Sequence, residues 1–102
     1  MPILFNISWD IIPGNEEEYS EFIGNSFIPE AAAMGLLPVG GYYVEVGFGP
    51  RVIGVNSCEN HQKLAEIITS QRFKDLILKL KTMVYNYRTA LLEPTGRFKK
   101  DQ

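Results

Sequence analysis

Apolar and polar residues alternate along the first segment of the chain. Ile3, Phe5, Ile7, Trp9 and Ile11 fall on one parity, and Leu4, Asn6, Ser8, Asp10 and Ile12 fall on the other. A period of two carried by β-branched and aromatic residues predicts a strand with one strongly apolar face, and Pro13-Gly14 ends it. The period then lengthens. Tyr19, Phe22, Ile23, Ser26, Phe27, Glu30, Ala31 and Met34 recur at helical spacing, which predicts an amphipathic helix with an aromatic stripe turned to the core. Asn15 suits the N-cap, with Glu18 as the reciprocal member of a capping box. Glu16, Glu17 and Glu18 place negative charge at the positive end of the helix dipole. Pro29 falls inside the run, so a kink or short break is expected at Ile28, and Gly35 stops the helix.

From Pro38 to Ser57 the strand pattern returns. Tyr42, Val44, Val46 and Phe48 alternate with Tyr43, Glu45 and Gly47; Gly49-Pro50 makes a turn, and Arg51 to Asn56 follows. This predicts a hairpin. The glycines of GFGPRVIG do not open a helix, so a phosphate-binding reading lacks its context and turn chemistry accounts for them. A second helical region starts near Glu59 or Asn60. Leu64, Ile67 and Ile68 form one stripe, and Phe73, Leu76, Ile77, Leu80 and Met83 another. The five-residue step from Ile68 to Phe73 breaks the helical phase. Ser70 stands where a new N-cap belongs, which predicts two helices or one sharply kinked helix. A last strand runs from about Val84 to Glu93, with Tyr85, Tyr87, Thr89 and Leu91 on one face and Asn86, Arg88, Ala90 and Leu92 on the other. Pro94-Thr95-Gly96 closes it.

The order strand, helix, strand, strand, helix, strand predicts an α+β, ferredoxin-like βαββαβ fold: a four-stranded antiparallel sheet with the helices on one face. Residues 1–96 form one domain and residues 97–102 a short charged tail. The other sheet face offers Leu4, Ile12, Ile53, Val55, Ala90 and Leu92, with Asn6, Ser8 and Arg88 among them. Such a face is too apolar for water, and a second copy of the chain covers it most simply, as a homodimer or a larger assembly. With Tyr42, Val44 and Val46 turned to the helices, Glu45 and Arg88 both fall on this open face, with Asn6, and point into the interior of such a dimer.

Composition narrows the chemistry. The chain has 102 residues, a length for one domain. Ten basic and twelve acidic residues leave a net charge of -2, which excludes a generally basic nucleic-acid protein. A single cysteine excludes an internal disulfide and any multi-cysteine zinc site, and with a single histidine a zinc site within one chain would need carboxylates, of which no such cluster is evident. Neither a signal peptide nor a membrane span is legible, so a cytoplasmic setting with no membrane partner, metal or cofactor is expected. Cys58 reads as a small apolar filler where a strand ends.

The segment SQRFKDLILKLKTMVYNYRTALLEPTG carries a resemblance. A short helix, then Ser70, Phe73, Leu76 and Leu80, then a strand ending in Leu92-Glu93-Pro94, resembles the dimeric α/β-barrel superfamily, within it the NIPSNAP-like and antibiotic-biosynthesis-monooxygenase-like proteins. The resemblance implies a homodimer whose sheets face each other, with a pocket between each sheet and its own helices, and with the fourth strand of one subunit beside the second strand of the other; a hydrogen-bonded pair of Glu45 and Arg88 between subunits is then the economical arrangement. The superfamily includes haem-degrading and quinol monooxygenases, decarboxylases and dismutases. Its haem degraders use an asparagine, a tryptophan and a histidine at positions where this sequence offers Ile7, Ile67 and Ile77 or Lys79, so haem cleavage by that mechanism is not expected. Two functions remain open: a cofactor-independent, monooxygenase-like enzyme acting on a small hydrophobic or aromatic substrate, or a non-catalytic dimeric module that binds a small molecule or a protein. Trp9, Tyr43 and Tyr87 are the candidate substrate-binding residues, since aromatic and phenolic groups orient ligands in apolar pockets. Strand parity puts Trp9 in the core, where its indole N–H needs a partner. His61, Tyr43 and Tyr87 are the candidate catalytic groups, His61 because it titrates near neutral pH. No third group stands at triad spacing to His61.

Overall fold

The structure, a computed structural model, describes residues 2–44, 47 and 50–92. The first alternating segment forms strand β1, Ile3–Ile11. The first helical run forms α1, Glu16–Phe22, a π-helical turn, Ile23–Phe27, and α2, Ile28–Met34. Strands β2, Leu37–Tyr43, and β3, Val52–Cys58, follow. Then come α3, His61–Thr69, α4, Gln71–Leu80, and strand β4, Val84–Leu92. The strands form one antiparallel sheet in the order β2-β3-β1-β4. Ile3, Phe5, Ile7 and Trp9 of β1 are buried in one core with Tyr19, Phe27 and Ala31 from the first helical region. Leu64, Ile67, Phe73, Leu76 and Leu80 from the second region join the same core. Both regions therefore cover the same sheet face, as the apolar parity of β1 requires.

Local chemistry sets the element ends. Asn15 precedes α1 without a side-chain cap, so the expected capping box does not form. Instead the Gly14 backbone N–H donates to the Glu16 carboxylate at 3.0 and 3.2 Å. Pro29 causes no break. Ile28 keeps helical angles (φ -62°, ψ -48°) and its N–H reaches back five residues to the Ile23 carbonyl. The wide turn lets the chain pass a residue without an N–H and without a clash against the preceding turn. Gly35, with φ 107°, closes α2: its N–H donates to the Ala32 carbonyl and that of Leu36 to the Ala31 carbonyl. This is a Schellman closure with the fully buried Leu36 as its apolar anchor. The second helical region is two helices, as the phase break requires. Asn60 caps α3 by accepting from the Lys63 N–H at 2.8 Å, and Ser70 caps α4 by accepting from the Phe73 N–H at 3.2 Å.

Two irregularities shift the strand phases away from simple alternation. In β2 the register slips between Pro38 and Gly40, after which Tyr42 pairs with Ile53 and Tyr43 with Val52. Val52 also pairs with the core residue Trp9. Tyr43 is therefore on the helix side and Tyr42 on the open side, the reverse of the alternation read from the sequence. In β4, Ser8 pairs with Arg88 but Asp10 pairs with Tyr85, so two residues, Asn86 and Tyr87, face Trp9. Asn86 takes φ 55° to make this bulge. Tyr85 consequently shares the open face with Arg88, not the helix face with Tyr87. Glu45, Val46, Phe48, Gly49, the Pro94-Thr95-Gly96 turn and the tail 97–102 lie outside the described residues.

Candidate functional site

A cavity of about 300 Å³ lies between the sheet and the first helical region. Its floor comes from one row of the sheet, in which Ile7 pairs with Gly54 and Gly54 with Gly41. Two adjacent positions on the helix side thus carry no side chain, and the helices above do not fill the space. A Cβ on Gly41 would meet nothing nearer than the Ile53 carbonyl oxygen at 4.0 Å, and one on Gly54 nothing nearer than the Ile7 carbonyl oxygen at 3.8 Å. Neither glycine has a positive φ, so these residues supply room, not backbone freedom. Ile23 and Phe27 of the π-helical turn form the roof with Tyr19, while the exposed Ile28 and Val39 stand at the mouth. The wide turn that precedes Pro29 is therefore part of the cavity wall.

Trp9 is the hub of the inner wall. Its indole Nε1 donates to the Tyr19 hydroxyl at 2.9 Å. Its rings meet Tyr19 and Phe27 edge-on at centroid separations of 6.1 and 6.2 Å, and Tyr87 lies parallel to it at 6.5 Å. Lys81 Nζ sits 5.0 Å from the Tyr87 ring centroid, a cation–π contact. Burial pushes the Tyr19 hydroxyl up to about 12, against the hydrogen bond from Trp9, which favours the ionised form. Burial alone raises Tyr87 to about 12. Both phenols are neutral donors near neutral pH. Asn56 adds an amide to the lining, with its Nδ2 3.5 Å from the Phe5 carbonyl oxygen. No charged side chain lines the cavity among the described residues.

Of the residues singled out from the sequence, the cavity gathers only Trp9. Tyr87 packs behind Trp9 and does not line it. Tyr43 is 69% exposed and belongs to a shallow depression with Asp10, Glu16, Arg51 and Tyr85. His61 is the exposed first residue of α3 and is not among the lining residues. Cys58 is buried at the end of β3 as filler. Sequence reasoning missed Tyr19, Asn56, Gly41 and Gly54. A signal for the glycines existed: glycine inside a strand marks a bulge or a space left for something else, yet Gly54 was assigned to turn chemistry. Among the described residues no group of three or more His, Cys, Asp or Glu side chains comes together.

On the open side, one row runs Tyr42, Ile53, Ser8, Arg88 and the next Gly40, Val55, Asn6, Ala90. Arg88 points away from the helices as expected and is exposed. The Asn6 side-chain oxygen is buried and has no hydrogen-bond partner among the described residues. The pairing proposed for Arg88 rested on Tyr42 facing the helices, which the register reverses, and Glu45 lies outside the described residues.

No family model and no curated protein matches the sequence. Solved structures match the fold. A NIPSNAP family protein from Agrobacterium tumefaciens superposes with a TM-score of 0.67 at 19% identity, over 93% of this chain and 94% of that one. A NIPSNAP domain protein from Burkholderia xenovorans gives 0.70 at 10% identity, over 98% and 100%. A candidate monooxygenase from Fusobacterium nucleatum gives 0.70 at 20% identity, over 90% of this chain but 42% of that longer one. The chain thus has the ferredoxin-like α+β fold of NIPSNAP-type and monooxygenase-like structures.

Proposed function

We propose that this chain binds a small, uncharged, hydrophobic molecule in the cavity between its sheet and its first helical region, and does so as a homodimer joined by the open sheet faces. The observation that carries the ligand reading is the glycine-floored cavity itself. Small-ligand sites are concave and mostly apolar, with few polar groups. This cavity holds about 300 Å³ and is walled by Trp9, Tyr19, Ile23 and Phe27, a size at the lower end of ordinary ligand sites. The dimer reading is supported by the open face, where Leu37 and Tyr42 are more than half exposed and Leu92 is exposed at its other edge. A monooxygenase-like activity, with an electron-rich substrate supplying the electrons, is the second reading. It is favoured by the fold shared with the Fusobacterium nucleatum candidate monooxygenase. Apart from the neutral Tyr19 phenol, the described lining holds no acid, base or nucleophile, which favours binding over chemistry.

The test of the ligand reading is titration with indane, a rigid hydrocarbon, followed by amide NMR. Binding in the cavity moves the Gly41 and Gly54 amide signals and the indole N–H signal of Trp9, the sole tryptophan. Gly54→Val fills the floor and abolishes those shifts in a protein that remains folded. No shift in the original protein, or unchanged shifts in the variant, removes the reading.

A further inference from the structure

We infer that the cavity recognises a ligand through a carbonyl oxygen that accepts a hydrogen bond from the Tyr19 hydroxyl, and that Trp9 is the residue that aims this donor. The inference rests on the cavity being a ligand site and names the polar group the ligand must carry.

An indole N–H only donates, so in the 2.9 Å contact between Trp9 Nε1 and Tyr19 Oη the phenol oxygen is the acceptor. The phenol proton is therefore free to turn elsewhere. No acceptor for it occurs among the described residues, although Tyr19 is only 7% exposed and lines the cavity. A hydroxyl donor in an apolar cavity wall, with no protein acceptor, is matched when a ligand that displaces solvent from the cavity supplies the oxygen. The Trp9 bond occupies one lone pair of Tyr19 and fixes the hydroxyl against a ring held on three sides by Tyr19, Phe27 and Tyr87. Burial keeps the phenol protonated, with its pKa near 12, so it donates across the physiological range.

The rest of the lining sets what else the ligand can be. Without a Lys, Arg or His among the described lining residues, a carboxylate or phosphate would enter without a counter-charge. The polar group is therefore a neutral oxygen. The bare backbone of Gly41 and Gly54 opposite the Tyr19, Ile23 and Phe27 wall suits a flat body. A flat, neutral carbonyl compound such as an aromatic ketone meets all three conditions.

The experiment compares 1-indanone with indane, which share a ring frame and differ in the carbonyl group. Tyr19→Phe should weaken 1-indanone binding about three- to tenfold more than it changes indane binding. An equal effect on both probes overturns the carbonyl assignment while leaving the cavity as a ligand site. If neither probe moves the Gly41 and Gly54 amides of the original protein, the ligand site itself is wrong and the inference falls with it. The infrared carbonyl stretch of labelled 1-indanone bound to the unmodified chain gives a reading that does not depend on the variant folding. A stretch lowered from its value in hexane supports the hydrogen bond. A hexane-like value overturns it.

Discussion

The hydrogen bond between Trp9 and Tyr19 ties the sheet to α1 through two side chains that are both buried. Tyr19→Phe keeps the ring and removes the acceptor, leaving the indole N–H without a partner. An unsatisfied buried donor costs about 1–3 kcal/mol, so urea denaturation of the variant should show a loss of that size with an unchanged slope. A second residue-scale prediction concerns Asp10. The Asn86 side-chain amide and the Arg51 backbone N–H, at 3.0 and 2.8 Å, hold its carboxyl below the ordinary 3.8. With a lower pKa in the folded state, the unfolded chain binds more protons in the window between the two values. This contribution is therefore fully present above about pH 5, and is lost as pH falls from about 4 through the folded pKa. Unfolding free energies measured from pH 7 to pH 2 should fall less steeply in Asp10→Asn than in the original chain.

Helix ends and strand phases decide how the elements present those side chains. Gly35 closes α2 in the left-handed region, and a Cβ there would stand 3.2 Å from Lys63 Cε of α3. Gly35→Ala should cost about 1–2 kcal/mol, read as a lowered denaturation midpoint, because the backbone conformation is unfavourable even if Lys63 moves aside. Element existence was legible in the sequence because it follows from hydrophobic period, and all four strands and the break at Ser70 are recovered. Strand phase was not. A bulge inserts one residue without disturbing composition, so the slip between Pro38 and Gly40 and the extra residue at Asn86 leave no trace in alternation. In β2 the pair Tyr42-Tyr43 made matters worse, since both parities carry an aromatic ring. The cavity was half legible: Trp9 was found by parity, whereas Tyr19 was read as one member of a core stripe. Pro29 was recognised as disruptive, but its outcome, a widened turn in place of a break, depends on packing against the sheet.

At the scale of the whole molecule, the sheet has one face in the core and one without cover from the described residues. Val55 and Asn6 sit side by side near the middle of that face. A facing copy would exclude water from Val55. Val55→Asp should therefore produce an 11.5 kDa monomer in sedimentation, with an unchanged far-ultraviolet circular dichroism spectrum. The original chain should sediment at twice that mass at micromolar concentration. A single 11.5 kDa species for the original chain would remove the dimer. The two strand irregularities also bear on which assemblies are denied to the molecule. β2 and β4 are the sheet's two edges, and each is interrupted, one beside a proline that has no N–H and the other by the left-handed Asn86. Among the described residues neither edge strand is an unbroken ladder along its whole length, which disfavours edge-to-edge growth of sheet upon sheet into fibrils. The bulges that blur the alternation thus work against edge-to-edge polymerisation, and in the proposed dimer association runs through the faces, a route that closes after two copies.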